Sequence, residues 1–129
     1  MLVADASAVV AALLDLGPDG TWAAEQLTGS ELAAPHLLPV EVASSLRQLS
    51  HRKVISADVA SLAHADLQDL AVDLFPYSPF AARAWDLRQN LTPYDASYVA
   101  LAEWLHADLL TLDLRLTRVK GLRCGFRTP

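Results

Sequence analysis

The chain has 129 residues, 53% hydrophobic and 19% charged, with a single cysteine at Cys124. This composition suits one packed domain over residues 1–129 and excludes a disordered chain, an internal disulfide and two full-sized domains. The formal charge of −5 disfavours bulk attraction to nucleic acid, yet Arg115, Arg118, Lys120, Arg123 and Arg127 are half of all Lys and Arg, and no acid follows Asp113.

The predicted elements begin with "LVAD" (2–5), a short apolar run read as a buried strand ending in an acid. "SAVVAALLDL" (7–16) follows as a helix stopped by "GPDG", and a second helix runs from about 21 to 27. "ELAAP" (31–35) reads as a weaker strand. Pro39 suits the first position of a helix, and the segment 39–53 carries apolar residues at 40, 42, 43, 46 and 49. Ser56 caps a helix over 57–70, and "AVDLF" (71–75) reads as a strand. Ser78-Pro79 opens a helix through 88, and Thr92-Pro93 opens another to about 106. "DLLTLD" (108–113) is a further strong strand, and "GLRCGF" (121–126) offers a short last one. Strands alternating with helices indicate an α/β fold with a parallel sheet and helices on both faces. The start "MLVADAS" has no basic leader, which argues against a signal peptide, and "AVVAALL" is too short to span a bilayer. A cytoplasmic protein is the expectation.

Most of the fifteen acids fall where solvated helix faces put them, among them Asp58, Asp66, Asp69 and Asp86. Four do not. Asp5 and Asp113 close predicted strands, Glu41 opens a helix that follows a strand, and Asp95 opens a helix that follows a helix. Ligands of an open parallel sheet bind beyond the carboxyl ends of its strands, which places the first three acids at one edge. Topology alone leaves Asp95 unplaced. Each acid also has a local structural use. Thr92-Pro93-Tyr94-Asp95 has the form of a capping box, Glu41 lies where a helix dipole favours an acid, and Asp5 can cap the helix that follows it. Gathered together, however, four carboxylates repel one another and call for a cation. The donors are all oxygen, and the four histidines (His36, His51, His64, His106) lack ligand spacing, so Mg²⁺ or Mn²⁺ suits the set better than Zn²⁺. An acidic pocket holding such an ion is suited to phosphodiester or phosphoryl chemistry.

The segments "VADASAVVAAL", "PVEVASSLR", "TPYDASYVALAE" and "LLTLDLRL" carry these acids in order. They resemble the four motifs of the PIN-domain family, and most of all its VapC ribonuclease toxins from prokaryotic toxin–antitoxin pairs, over residues 2 to about 116. The resemblance implies a three-layer α/β/α sandwich with a central, mostly parallel sheet. It implies a metal-dependent endoribonuclease whose acidic quartet is Asp5, Glu41, Asp95 and Asp113, and so supplies the placement of Asp95. Asp5, Asp95 and Asp113 would hold the Mg²⁺ or Mn²⁺, with Glu41 joining directly or through water, or taking a proton. It further implies an RNA substrate, a VapB-like antitoxin that occupies the acidic pocket, and a homodimer.

Ser7 and Thr111 have either a structural role or that of orienting carboxylates or water. Arg115 stands where many relatives carry a further acid, which argues against a second metal and offers a guanidinium to phosphate. Two other classes compete. One is an aspartyl-nucleophile phosphotransferase or phosphatase built on Asp5, with Lys120 as its only available lysine. The other is a catalytically silent PIN-like binding module. Tyr94 and Tyr98, one turn apart, are read as packing in preference to base stacking. Trp22, Trp85 and Trp104 are read as core or interface residues. Glu103, roughly 12 Å along the helix from Asp95, is read as surface. Arg47, Arg52 and Lys53 either extend a positive rim or solvate a helix end.

Overall fold

The computed structural model describes all residues from Met1 to Pro129. Strand β1 (Leu2–Ala4) lies at the centre of a five-stranded sheet, buried along its whole length. β2 (Leu32–Pro35) flanks it on one side and β4 (Asp108–Leu110) on the other, with Val3 opposite Ala33 and Leu109. β3 (Asp73–Phe75) and β5 (Phe126–Arg127) form the edges, giving the order β3-β2-β1-β4-β5. All four pairings are parallel. The continuous apolar runs of β1 and β2 follow from this, because a strand covered on both faces has no polar side to display.

The helices fall into two packing groups. α1 (Ala6–Leu14) packs against α2 (Pro18–Thr28), α3 (Leu38–His51) and α4 (Ala57–Asp69). α6 (Pro93–Leu105) packs against α5 (Ala81–Asp86) and lies directly over β1, β2 and β4. The result is a three-layer α/β/α arrangement. On α3, Leu38, Val42 and Leu46 recur at four-residue intervals and are buried as one stripe. On α6 the burial is continuous from Ala96 to Ala102, so this helix is held by its whole circumference. Each fully buried Val or Leu contributes about 1.5–3 kcal/mol.

The helix ends explain where the sequence signals hold and where they shift. Ser56 Oγ accepts from Val59 N–H at 3.1 Å and starts α4 as expected. Thr92 Oγ1 does the same for Asp95 N–H at 3.2 Å, with Pro93 in the first turn of α6. α6 ends at His106, which takes a left-handed conformation (φ 52°). α1 stops two residues early because Asp15 turns extended and caps it, and α2 begins at Pro18 instead of residue 21. Between them the chain passes so close that a Cβ on Gly20 would lie 1.8 Å from the Asp15 carbonyl oxygen. The predicted helix 78–88 divides into a 3₁₀ turn, Ser78–Phe80, and the short α5.

β4 is also shorter than its sequence suggested. It ends at Leu110, because the amides of Leu112 and Asp113 bond to the hydroxyls of Ser7 and Thr111 and not to a neighbouring strand. Two further readings need correction. Trp85 and Trp104 are each 60% exposed, so of the two places expected for them the core is ruled out; the buried aromatic residues are Phe80 and Tyr98. Glu103 is not a free surface acid. Arg83 donates to it through Nε at 2.7 Å and through a terminal nitrogen at 3.1 Å, and Arg123 N–H donates to it at 2.7 Å. This pair ties α5 and the tail to α6, and it draws the Glu103 carboxyl below its ordinary range despite burial.

Candidate functional site

The four acids occupy one edge of the sheet, and each arrives there by a local rule. Asp5 follows β1 directly and is the N-cap of α1, where its Oδ1 accepts from Ala8 N–H at 3.0 Å. Glu41 lies in the first turn of α3 and Asp95 in the first turn of α6. Asp113 lies three residues past the end of β4. Three helix N-termini thus point their positive ends at the cluster, each favouring an acid by roughly 0.3–1 kcal/mol. The position of Asp95 follows from connectivity once β4 is seen to come next: a helix leading into a parallel strand starts at the carboxyl edge.

Asp5 is 7% exposed and is held on both oxygens. Ser7 Oγ donates to Oδ1 at 2.6 Å, and the Thr111 hydroxyl donates to Oδ2. Each hydroxyl in turn accepts a backbone N–H, Ser7 from Leu112 at 3.0 Å and Thr111 from Asp113 at 2.9 Å. Two short relays, amide to hydroxyl to carboxylate, therefore connect the end of β1 to the segment carrying Asp113. Such relays polarise along their length and fix the carboxylate. Ser7 and Thr111 thus lie where the sequence placed them, although Thr111 is just beyond the strand and not within it.

Burial holds the Asp5 carboxyl above its ordinary range, against the lowering effect of these hydrogen bonds, and the Asp95 charge adds to the rise. Glu41 is raised by burial and by the charges of Asp95 and Asp5, and lowered by its bond from Tyr98. Asp95 is raised by burial and by Asp113. The four groups share one electrostatic field, and three of them are strained by it. Asp113 is the exception. Arg115 Nε donates to Oδ1 at 3.0 Å and a terminal nitrogen to Oδ2 at 2.6 Å, which lowers its carboxyl. Arg115 itself is 84% exposed, so the pair is readily exchanged.

No three His, Cys, Asp or Glu side chains converge tightly enough in this arrangement to grip an ion. Asp113 is turned to Arg115, and Glu41 is turned to Tyr98 Oη, which donates to its Oε1 at 2.7 Å. The donors nonetheless fit a hard divalent cation: they are carboxylate oxygens, mutually repelled, at one sheet edge. Tyr98 is a participant that the sequence reading took only as packing. It is packed, at 2% exposure, but it also bonds an acid of the site. Its place three residues after Asp95, on the same helix face, was the available signal. Tyr94 by contrast is 60% exposed and makes no side-chain bond. Lys120 is exposed and forms no ion pair, and the groups that hold the Asp5 oxygens are Ser7, Thr111 and the Ala8 amide.

Comparison with known proteins identifies the family. Residues 2–122 match the family model described as PIN domain. The chain is 44% identical over 125 residues to ribonuclease VapC9 of Mycobacterium tuberculosis, covering 96% of this chain and 94% of that one. It is 42% identical over 126 residues to ribonuclease VapC1 of the same organism, covering 97% and 95%. Among solved structures it resembles M. tuberculosis VapC20, described as a sarcin–ricin-loop-cleaving toxin, with TM-score 0.68 and 15% identity over 95% of this chain and 97% of that one. It also resembles VapBC2 of Rickettsia felis bound to a promoter DNA fragment, with TM-score 0.63 and 13% identity over 97% of each chain. At these identities the solved structures speak for the fold.

Proposed function

Because the chain belongs to the PIN-domain family and is a close relative of VapC ribonucleases, we propose that it is the endoribonuclease toxin of a type II toxin–antitoxin pair, hydrolysing RNA phosphodiesters with Mg²⁺ or Mn²⁺. The observation that carries the metal-dependent reading is the gathering of four carboxylates at one sheet edge, Asp5 capping α1, Glu41 and Asp95 in the first turns of α3 and α6, and Asp113 just past β4; burial first, and neighbouring acids second, raise Asp5, Glu41 and Asp95 above their ordinary range. Asp5, Asp95 and Asp113 would hold the ion, with Glu41 joining directly or through water. When bound, the ion neutralises phosphate charge and lowers the pKa of a coordinated water.

The chain's own residues do the rest. Ser7 and Thr111 keep both Asp5 oxygens aimed and prevent the carboxylate from rotating out. Glu41, whose carboxyl burial holds above its ordinary range, is suited as a carboxylate to accept a proton from water. Arg115 can leave Asp113 for a phosphate oxygen, since its guanidinium is exposed and matches phosphate in the same bidentate manner. The basic residues 115–127 supply attraction that the acidic remainder of the chain lacks. No helix is long and apolar enough to cross a membrane. We place the protein in the cytoplasm, as a homodimer regulated by a VapB-like partner, by its likeness to the VapC ribonucleases.

The test is cleavage of total RNA by the purified protein with Mg²⁺ or Mn²⁺, beside a chelated control and Asp95→Asn. Cleavage is expected only with the metal, and Asp95→Asn is expected to lose at least about a hundredfold in rate, the scale at which one electrostatic group contributes to such a step. Full activity in Asp95→Asn refutes the site, and metal-independent cleavage refutes the cofactor.

A further inference from the structure

We propose that Tyr98 is a positioning residue of this site: its hydroxyl tethers one oxygen of Glu41 so that the other is presented to the divalent cation. The inference rests on the metal-dependent reading above and adds a residue outside the acidic quartet.

Tyr98 begins from a rigid frame. Its ring is 2% exposed, and it belongs to the continuously buried stretch of α6 that lies over β1, β2 and β4. Glu41 has no such frame. It is only partly covered, has a long rotatable side chain, and faces the charges of Asp95 and Asp5. Left alone, that repulsion favours rotation toward solvent, and holding the side chain inward costs rotamer entropy as well. No Lys, Arg or His forms an ion pair with it. The 2.7 Å bond from Tyr98 Oη to Oε1, across 57 positions of sequence, is its one side-chain restraint, and Oε2 is left without a protein donor. A neutral hydroxyl suits this task better than a cationic side chain, because it orients the carboxylate without competing with the metal for the same charge. Since Tyr98 follows Asp95 by three residues, one face of α6 carries both a ligand and the tether of another ligand.

The experiment is titration of the full chain with Mn²⁺ alone, followed by calorimetry, for the unsubstituted protein, Tyr98→Phe, Glu41→Ala and the double variant. Thermal melting in chelator is recorded beside it. Phenylalanine keeps the ring packing and removes the donor. Tyr98→Phe is expected to weaken Mn²⁺ binding about tenfold, as loss of a bond to a metal-binding side chain does, with little change in melting. In the Glu41→Ala background, which retains the three aspartates, Tyr98→Phe is expected to cause no additional loss. Equal Mn²⁺ affinity with and without the hydroxyl overturns the tether and leaves the metal reading standing. So does an equal loss in both backgrounds, the mark of a purely structural role. Absence of Mn²⁺ binding by the unsubstituted chain overturns the metal reading, and the tether with it.

Discussion

Asp95 has two employments that do not conflict. Its backbone amide satisfies the helix start through Thr92, and its carboxylate is left to the acidic edge. The cost appears as a raised pKa. A carboxyl that binds its proton more tightly in the folded than in the unfolded chain loses stability as pH rises from its ordinary value of 3.8 through its raised value, and stays at the lower level above both. Asp113, lowered by Arg115, has the opposite sign: its contribution is present above the ordinary value and is lost as pH falls through the depressed one. In chelator at neutral pH, Asp95→Asn is therefore expected to melt above the unsubstituted protein, with the gap closing as pH falls toward 3.8. Melting curves at three or four pH values decide this, and a variant that melts lower at neutral pH refutes the destabilisation of the Asp95 carboxylate by burial and by Asp113. The same substitution is expected to remove cleavage, so stability and activity would move in opposite directions at one residue.

At the scale of elements, the joint between α1 and α2 holds the closest backbone approach at any glycine of the chain. Gly20 is there for lack of room, with the Asp15 carbonyl where a side chain would begin. Gly20→Ala is expected to destabilise by about 1–3 kcal/mol through overpacking, read as a lower denaturation midpoint; an unchanged midpoint would mean that the joint opens freely. The sequence announced such elements unevenly, for physical reasons. Ser56 and Thr92-Pro93 mark helix starts because capping is local, and both elements begin where those residues say. The end of β4 was illegible because it is decided by Ser7, more than a hundred positions away, whose hydroxyl takes the Leu112 amide. The four acids stood out because each interrupts an apolar context at an element boundary. Tyr98 did not, because a buried tyrosine looks alike in sequence whether its hydroxyl bonds an acid or a backbone carbonyl. Glu103 was misread for the same reason: its partner Arg83 lies on another helix.

At the scale of the whole molecule, the proposed nuclease, with a net charge of −5, would have to draw in its polyanion with its last segment. Arg118 and Lys120 are exposed and unpaired, and the double replacement by alanine is expected to weaken RNA binding. Measured in the Asp95→Asn background against salt, the slope of log affinity on log salt is expected to shallow by about 0.7 for each phosphate that the protein no longer neutralises. An unchanged slope would assign those charges to solubility. Fold class was legible at this scale from alternation alone, because burial on both faces makes parallel strands read as unbroken apolar runs; the all-parallel order itself depends on pairings that no local signal encodes.

The two relays that clasp Asp5 join residues 106 and 105 positions apart. A growing chain thus carries Asp5 and Glu41 well before the segment that completes the clasp has been made. Closing so long a loop is slow and comes late in folding. The acidic edge is therefore complete only once the segment through Asp113 has been made and has folded back onto Asp5 and Ser7.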